Sequence, residues 1–477
     1  MTFSSGVFLF YFLPLFLLVY AVVPQRHRLM VISLASYVYC AWWRPGFVLP
    51  LAIVTIIGFV GGVVIDRERS HGRKGEGCLL ATLIALLGLL TYFKYSVFAV
   101  DILNAVLRRT GAPPIRIADI ILPVGLSFYT FKTVSYIIDV YRGASPPAAN
   151  LLAFATYVAM FPQLVAGPIG RYKATSDELR SRNHSVELFY RGVLFFQIGL
   201  AGKVLVADTL GSVADQAFDS GVGGLADAWI GALAYTFQLF FDFAGYSDMA
   251  IGLGLMMGFH FPVNFNCPYR AVSVTDFWQR WHITLSTWLR DYLFLPVAYL
   301  GSRRVRDFRL FGFSQDYYVY ALAALVTMSL AGLWHGAGWS FVAWGTYHGL
   351  WLVIDRFLTR KRLCRHTPRP LRVFATFLII LFGWILFRSG TLRDAGAYLR
   401  TMLALGSDPL APLALEIRPI HLLIGALAAA WAWLAPPAHD LVPTAGPAAV
   451  FLLQLVFIIS ILHLHFHEHV PFLYFRF

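Results

Sequence analysis

The chain has 477 residues, 58% of them hydrophobic and 13% charged, with a mean hydropathy of +0.66; that charged share is about half of what an ordinary soluble domain carries. The 38 Lys and Arg outnumber the 25 Asp and Glu to give a net charge of +13, but the basic runs are short loops without interleaved aromatic platforms, which argues against nucleic acid as a partner. A soluble globular class is excluded, and an all-α polytopic membrane protein is expected.

Apolar stretches near the length of a bilayer crossing fall at 6–23, 47–65, 79–100, 119–140, 188–206, 226–258, 317–333, 339–354, 373–387, 420–434 and 448–462. With shorter pieces such as 29–43, about ten to twelve transmembrane helices are expected. The first stretch has neither a basic leader nor a small-residue cleavage site, so it reads as a retained span. Basic clusters at 25–28, 66–74, 303–306 and 359–372 mark cytoplasmic loops. Alternating crossings then place both termini on the extracytoplasmic side. The polar stretches at 171–187, 300–316 and 388–418 are too short for a soluble domain, and no repeat of solenoid length is visible. Residues 1–477 are therefore expected to form one membrane domain.

Three apolar segments carry helix breakers: Leu122-Pro-Val-Gly125, Phe161-Pro-Gln163 through Gly167-Pro168, and the run from Phe259 through Pro262 to Pro268. Irregular backbone at membrane depth persists only inside protein or beside a wet cavity, so these breaks point to re-entrant segments around a central funnel or tunnel. Asp242 and Asp248 lie in an apolar helical pattern and need partners, while Gly254 and Gly258 suit close helix approach. Cys40, Cys78, Cys267 and Cys364 are scattered without zinc or disulfide spacing. His463, His465, His467 and His469 include pairs four apart on one helix face. That spacing is weak evidence for a metal; they read as interfacial histidines, and no metal site is expected.

The candidate chemistry rests on two histidines. His335 lies in the nearly uncharged run Leu333-Trp334-His335-Gly336-Ala337-Gly338-Trp339, where an ionisable group is costly and marks a functional site. Alone it would more often be a histidine bonded to a backbone carbonyl. His282 lies in the aromatic, charged run Arg280-Trp281-His282, followed by Ser286, Trp288 and Asp291. Histidine accepts a proton near neutral pH with little tuning. His335 is expected to take the proton of an acceptor hydroxyl attacking a thioester, with His282 or nearby indole and backbone N–H groups holding the oxyanion. Arg280, Trp281, Ser286, Trp288, Asp291 and Trp334 are candidate walls of the donor site. Arg280 and Asp291 read equally well as the charged face of an interfacial helix, with the tryptophans as membrane anchors.

With Arg280-Trp281-His282 and Trp334-His335-Gly336 in place, the chain resembles the membrane-bound O-acyltransferases, most closely the membrane subunits of the alginate O-acetyltransferase type. Further shared wording is Phe93-Lys94-Tyr95, Leu122 to Phe131, Ser135 to Gly143, Phe161 to Pro168, Phe241 to Gly252 and the closing Pro471 to Phe477. The resemblance implies a ring of membrane helices around a central tunnel, with a catalytic core at 119–390. It makes His335 the family's invariant histidine and His282 its second polar active-site position. It implies acetyl-CoA as cytoplasmic donor and no bound cofactor. It also implies a separate extracytoplasmic SGNH-type acetyltransferase that passes the group to a polysaccharide, among membrane lipids of a bacterial inner membrane. The chain departs from the pattern after Asp291-Tyr292, where Leu-Phe-Leu-Pro replaces a Gly-Gly-Asn turn, and slightly at Gly167 to Tyr172. Alginate, cellulose, another exopolysaccharide and peptidoglycan therefore stay open as acceptors. Competing readings are a D-alanyl-transferring relative fed by an acyl carrier protein and, in another class, a transporter or flippase; no inverted repeat favours the latter.

Overall fold

A computed structural model describes residues 1–118, 120–304, 309–310, 313–405, 412–466 and 472–473. Among the described residues the fold is helical apart from one antiparallel pair of two-residue strands, Arg309–Leu310 with Phe313–Ser314. Part of the 303–306 basic cluster, His467 and His469, and most of the closing 471–477 motif lie outside the described residues. Among the described residues, six helices are long and apolar enough to cross a membrane: Pro45–Ser70, Glu76–Thr110, Val186–Asp219, Gln315–His335, Arg369–Arg388 and Pro447–Phe466. The pair Pro419–Leu434 and Ala438–Thr444, bent by 82°, makes up to seven.

The larger number read from the sequence includes stretches whose helices are shorter or less apolar than these. The 6–23 stretch becomes a π-helix, Phe8–Phe12, joined to Leu13–Val22. The 119–140 stretch holds irregular chain before a 17-residue helix, Leu126–Arg142. The 226–258 and 339–354 stretches lie in helices of 32 and 22 residues, Leu225–Met256 and Trp339–Arg360. Both are long enough to cross a bilayer at 1.5 Å per residue, but polar residues dilute their hydropathy.

Two compact units emerge, Met1–Phe196 with Met249–Pro262, and Gln197–Asp248 with Val263–Phe477. In the first, Val48–Ser70 packs on Leu126–Arg142 through small residues. A Cβ on Gly62 would stand 2.2 Å from the Tyr136 hydroxyl, and one on Gly58 would stand 2.4 Å from Thr133. Leu126–Arg142 is almost wholly buried. Several of its polar members are satisfied within the protein, as lipid requires: the Lys132 ammonium donates to the Tyr157 carbonyl and, at 2.9 Å, to Gln163 Oε1, and the Thr133 and Ser135 hydroxyls donate to the carbonyls of Tyr129 and Lys132. The chain is irregular at 122–125, at 165–170 after the short helix Phe161–Leu164, and at 259–267; residues 161–170 are buried and the other two breaks partly so. Close helix approach occurs at Gly252, where a Cβ would meet the Gly192 carbonyl oxygen at 2.5 Å, while Gly254 makes room for the Phe261 ring.

In the second unit Asp242 finds the partners it needs. Its carboxylate lies 2.8 Å from Lys203 Nζ and accepts the Leu473 N–H at 2.9 Å, and Lys203 also meets Asp208 at 2.5 Å. Asp248 has no hydrogen-bond or ion-pair partner among the described residues. The dominant packing is a helical hairpin formed by Gln315–His335 and Trp339–Arg360. A Cβ on Gly345 would lie 2.1 Å from the Met328 carbonyl oxygen, and one on Gly332 would lie 2.1 Å from that of Phe341. Glycines therefore bring the two backbones into contact, and a Ser329–Thr346 hydroxyl pair at 2.9 Å fastens them.

Candidate active site

The hairpin explains the position of His335. The first helix ends on it, Gly336 to Gly338 reverse the chain, and Trp339 starts the return. Gly336 is required by space, because a Cβ there would meet the Phe341 ring at 2.1 Å. Half-buried, His335 stands edge-on to Trp334 at 4.8 Å, to Trp344 at 5.1 Å and to Phe387 at 5.2 Å between ring centroids. Aromatic walls of this kind limit the water around a proton-accepting imidazole while leaving its half-exposed edge reachable.

His282 is held differently. It is 1% exposed and lies at φ 44°, ψ 52°, in the left-handed region, just before the Ile283–Leu289 helix. A non-glycine residue is strained there. The loop bringing it there is tied by Ile283 N–H to Asn264 O and by Asn266 N–H to Arg280 O, both at 2.9 Å. Nδ1 of the ring lies 3.0 Å from Asn264 Oδ1, which also accepts the Thr284 backbone N–H at 3.2 Å and hydroxyl at 2.9 Å. Asn264 Nδ2 donates to Ser247 Oγ at 3.0 Å. Phe243 packs edge-on to the imidazole at 4.6 Å. Nε2 is buried and has no partner among the described residues.

The surroundings of the two histidines are linked by aromatic rings. Trp344, beside His335, stacks at 6.0 Å on Trp384, which meets Trp281 at 4.9 Å; Trp281 in turn contacts Phe243 at 6.4 Å, next to His282. Trp281 thus belongs to this wall. Arg280 pairs with Asp276 at 2.6 Å and reaches the Asn266 carbonyl, so it braces the loop. Ser286 donates to the Trp281 carbonyl at 3.2 Å. Trp288 packs against Tyr292 at 5.2 Å, and Asp291 pairs with exposed Arg290 at 2.7 Å, its carboxylate raising the guanidinium above its ordinary value.

Sequence reading missed several members. Asn264 fell in a segment noted only for its breaks. Trp344 and His348, each 1% exposed or less, share a ring contact at 5.0 Å, and Trp278 meets His348 at 5.3 Å. Their spacing of four on one helix, directly after the His335 turn, was the available signal. An open cleft of about 490 Å³ lies elsewhere, lined by Arg270, Arg369, Pro370, Val373, Phe374, Phe377 and Trp433, and none of the expected site residues lines it.

The family model of the membrane-bound O-acyltransferases matches residues 140–388, a segment that contains both histidines. The chain is 45% identical to a probable alginate O-acetylase of Pseudomonas aeruginosa over 413 residues, covering 87% of this chain and 77% of that one. It is 41% identical to a probable alginate O-acetylase of Pseudomonas putida over the full length of both. Identity to the peptidoglycan O-acetyltransferase of Helicobacter pylori is 33%, covering 87% of this chain and 82% of that one. This multi-pass chain therefore belongs to the membrane-bound O-acyltransferase family and is an O-acyltransferase.

Proposed function

We propose that the chain transfers acetyl groups from a cytoplasmic thioester, acetyl-CoA, across a bacterial inner membrane to hydroxyls destined for an extracytoplasmic polysaccharide of the alginate kind. The observation that carries this reading is the His335 hairpin: a half-buried imidazole at a helix tip, walled by Trp334, Trp344 and Phe387, in a chain 41–45% identical to alginate O-acetylases. The catalytic core spans 119–390, and both termini face the extracytoplasmic side.

In the reaction, an acceptor hydroxyl oxygen bonds to the acyl carbon as its proton passes to His335. The tetrahedral oxyanion collapses with cleavage of the C–S bond, and the proton leaves with the thiolate as CoA thiol. The oxyanion needs an N–H donor in a dry setting. Trp344 Nε1, buried with no acceptor among the described residues, is a group of that kind, and Trp334 closes the same wall. The acetylated acceptor then passes its acetyl group to a hydroxyl of a partner acetyltransferase of the SGNH type, with cleavage of the ester C–O bond and release of the acceptor hydroxyl, and the partner acetylates the polysaccharide.

Sidedness tests the reading. Basic loops at 66–74 and 359–372 are the cytoplasmic ones by the positive-inside rule, which puts the His335 turn away from them. In sealed vesicles of known orientation, labelled acetyl-CoA supplied to the cytoplasmic face should yield acetylated acceptor on the other face. Reaction only from the outer face, or product only on the donor side, would sink the proposal.

A further inference from the structure

Asparagine amide atoms are easily interchanged on shape alone, but here the backbone decides. The Asn264 atom that faces the Thr284 N–H at 3.2 Å must be an acceptor, since a backbone N–H only donates. The same oxygen lies 3.0 Å from His282 Nδ1, so Nδ1 must carry the proton. In a neutral imidazole the other nitrogen then holds a lone pair. Nε2 is therefore an acceptor that lacks a donor among the described residues, and leaving a buried acceptor unfilled is costly. The left-handed backbone at His282 adds strain at the same place, the kind of strain that persists at functional sites.

We infer that Asn264 is a positioning residue that locks His282 in the Nδ1–H tautomer, so that Nε2 accepts a hydrogen bond from a substrate O–H and does not donate to the oxyanion. This deepens the proposed function and rests on it for the identity of the substrate. It reverses the oxyanion role expected of His282 from sequence and leaves that role to N–H groups such as the Trp344 indole. Ser247 completes the arrangement, because its hydroxyl oxygen accepts a hydrogen bond from the Asn264 amide N–H and keeps the Asn264 oxygen turned toward the imidazole.

The test combines a tautomer measurement with a pH profile on the full-length protein in bilayers. In ¹⁵N-histidine-labelled samples, with the His282 signals identified by their loss in His282→Gln, Nδ1 should be protonated and Nε2 unprotonated near neutral pH. Asn264→Leu should mix the tautomers and lower kcat/KM by about tenfold or more, the scale on which orienting partners act. Asn264→Asp keeps the acceptor but adds a charge that favours the imidazolium. The acidic limb of its kcat/KM profile should therefore move to higher pH. Should the leucine variant fail to fold, the aspartate shift carries the test. A protonated Nε2 in the wild type, or an aspartate variant with an unmoved acidic limb, overturns the inference. The tautomer readout requires no acyl transfer, so failure of the function itself, as in full activity of His335→Ala, would be seen separately.

Discussion

Gly345→Ala should act on the active site from inside the hairpin. The added methyl would lie 2.1 Å from the Met328 carbonyl oxygen and 3.1 Å from Gly332 Cα. A relaxed carbon–oxygen contact is about 3.3 Å, so the helices must part by roughly 1.2 Å at this level. Backbone lies on both sides, and no flexible side chain can yield instead. Overpacking of this kind costs about 1–3 kcal/mol. His335 sits at the tip of the same helix, three residues beyond Gly332, and a shift near 1 Å at a reacting group costs up to about 100-fold in rate. Thermal midpoint and acyl transfer should be measured on the purified variant beside Gly88→Ala, whose Cβ meets nothing within 4 Å. The expected result is a lowered midpoint and at least a tenfold rate loss, about 1.4 kcal/mol, for Gly345→Ala alone. Equal behaviour of the two alanine variants in both assays would refute the claim that glycine contact at the hairpin sets the position of His335.

His335→Ala should abolish acyl transfer with little change in thermal midpoint, because its half-buried ring contributes more to chemistry than to packing; retained turnover would remove it from the reaction. Replacing His282 by alanine should cripple kcat/KM without preventing insertion, as measured by turnover per inserted molecule. Trp344→Phe keeps the ring wall but deletes the buried N–H; a loss of about 10²- to 10³-fold in kcat is expected of an oxyanion donor, and an unchanged kcat would assign the indole to packing alone. Lys203→Met strands the Asp242 and Asp208 carboxylates without their ammonium, and a destabilisation of about 3–5 kcal/mol is expected, read as a large fall in the unfolding midpoint. An unchanged midpoint would mean that the pair is not held as an ion cluster.

Much of the fold was legible because lipid imposes simple rules. Apolar length marked the spans, and the breakers at Pro123, Pro162 and Pro262 marked places where long helices are interrupted, with Pro123 and Pro162 buried. The number of crossings was less legible. The stretch 226–258 folds into a 32-residue helix, long enough to cross, whose hydropathy is diluted by acids such as Asp242, which pairs with Lys203 from another segment. Hydropathy along one segment carries no information about a partner elsewhere. The glycine contacts were half visible for the same reason. Gly254 and Gly258 were noticed for their spacing, whereas the backbone of that helix meets its neighbour at Gly252 against Gly192, which depends on the register between two helices.

The site divides along the same line. His335 could be found because its cost is local: an ionisable group between Trp334 and Gly336 in an apolar run demands a reason wherever the helix packs. The direction in which His282 works could not, because a histidine's donor or acceptor character belongs to its neighbour and not to its own segment. Asn264 stands 18 residues earlier, in a stretch with no periodic pattern to connect the two. Only the fold brings its oxygen to the Thr284 N–H and the His282 ring together, and that double contact turns a residue type able to play either part into one with a single part. Reading histidines from sequence thus locates proton chemistry, while the hydrogen bond on the far side of the ring determines which way the proton can move.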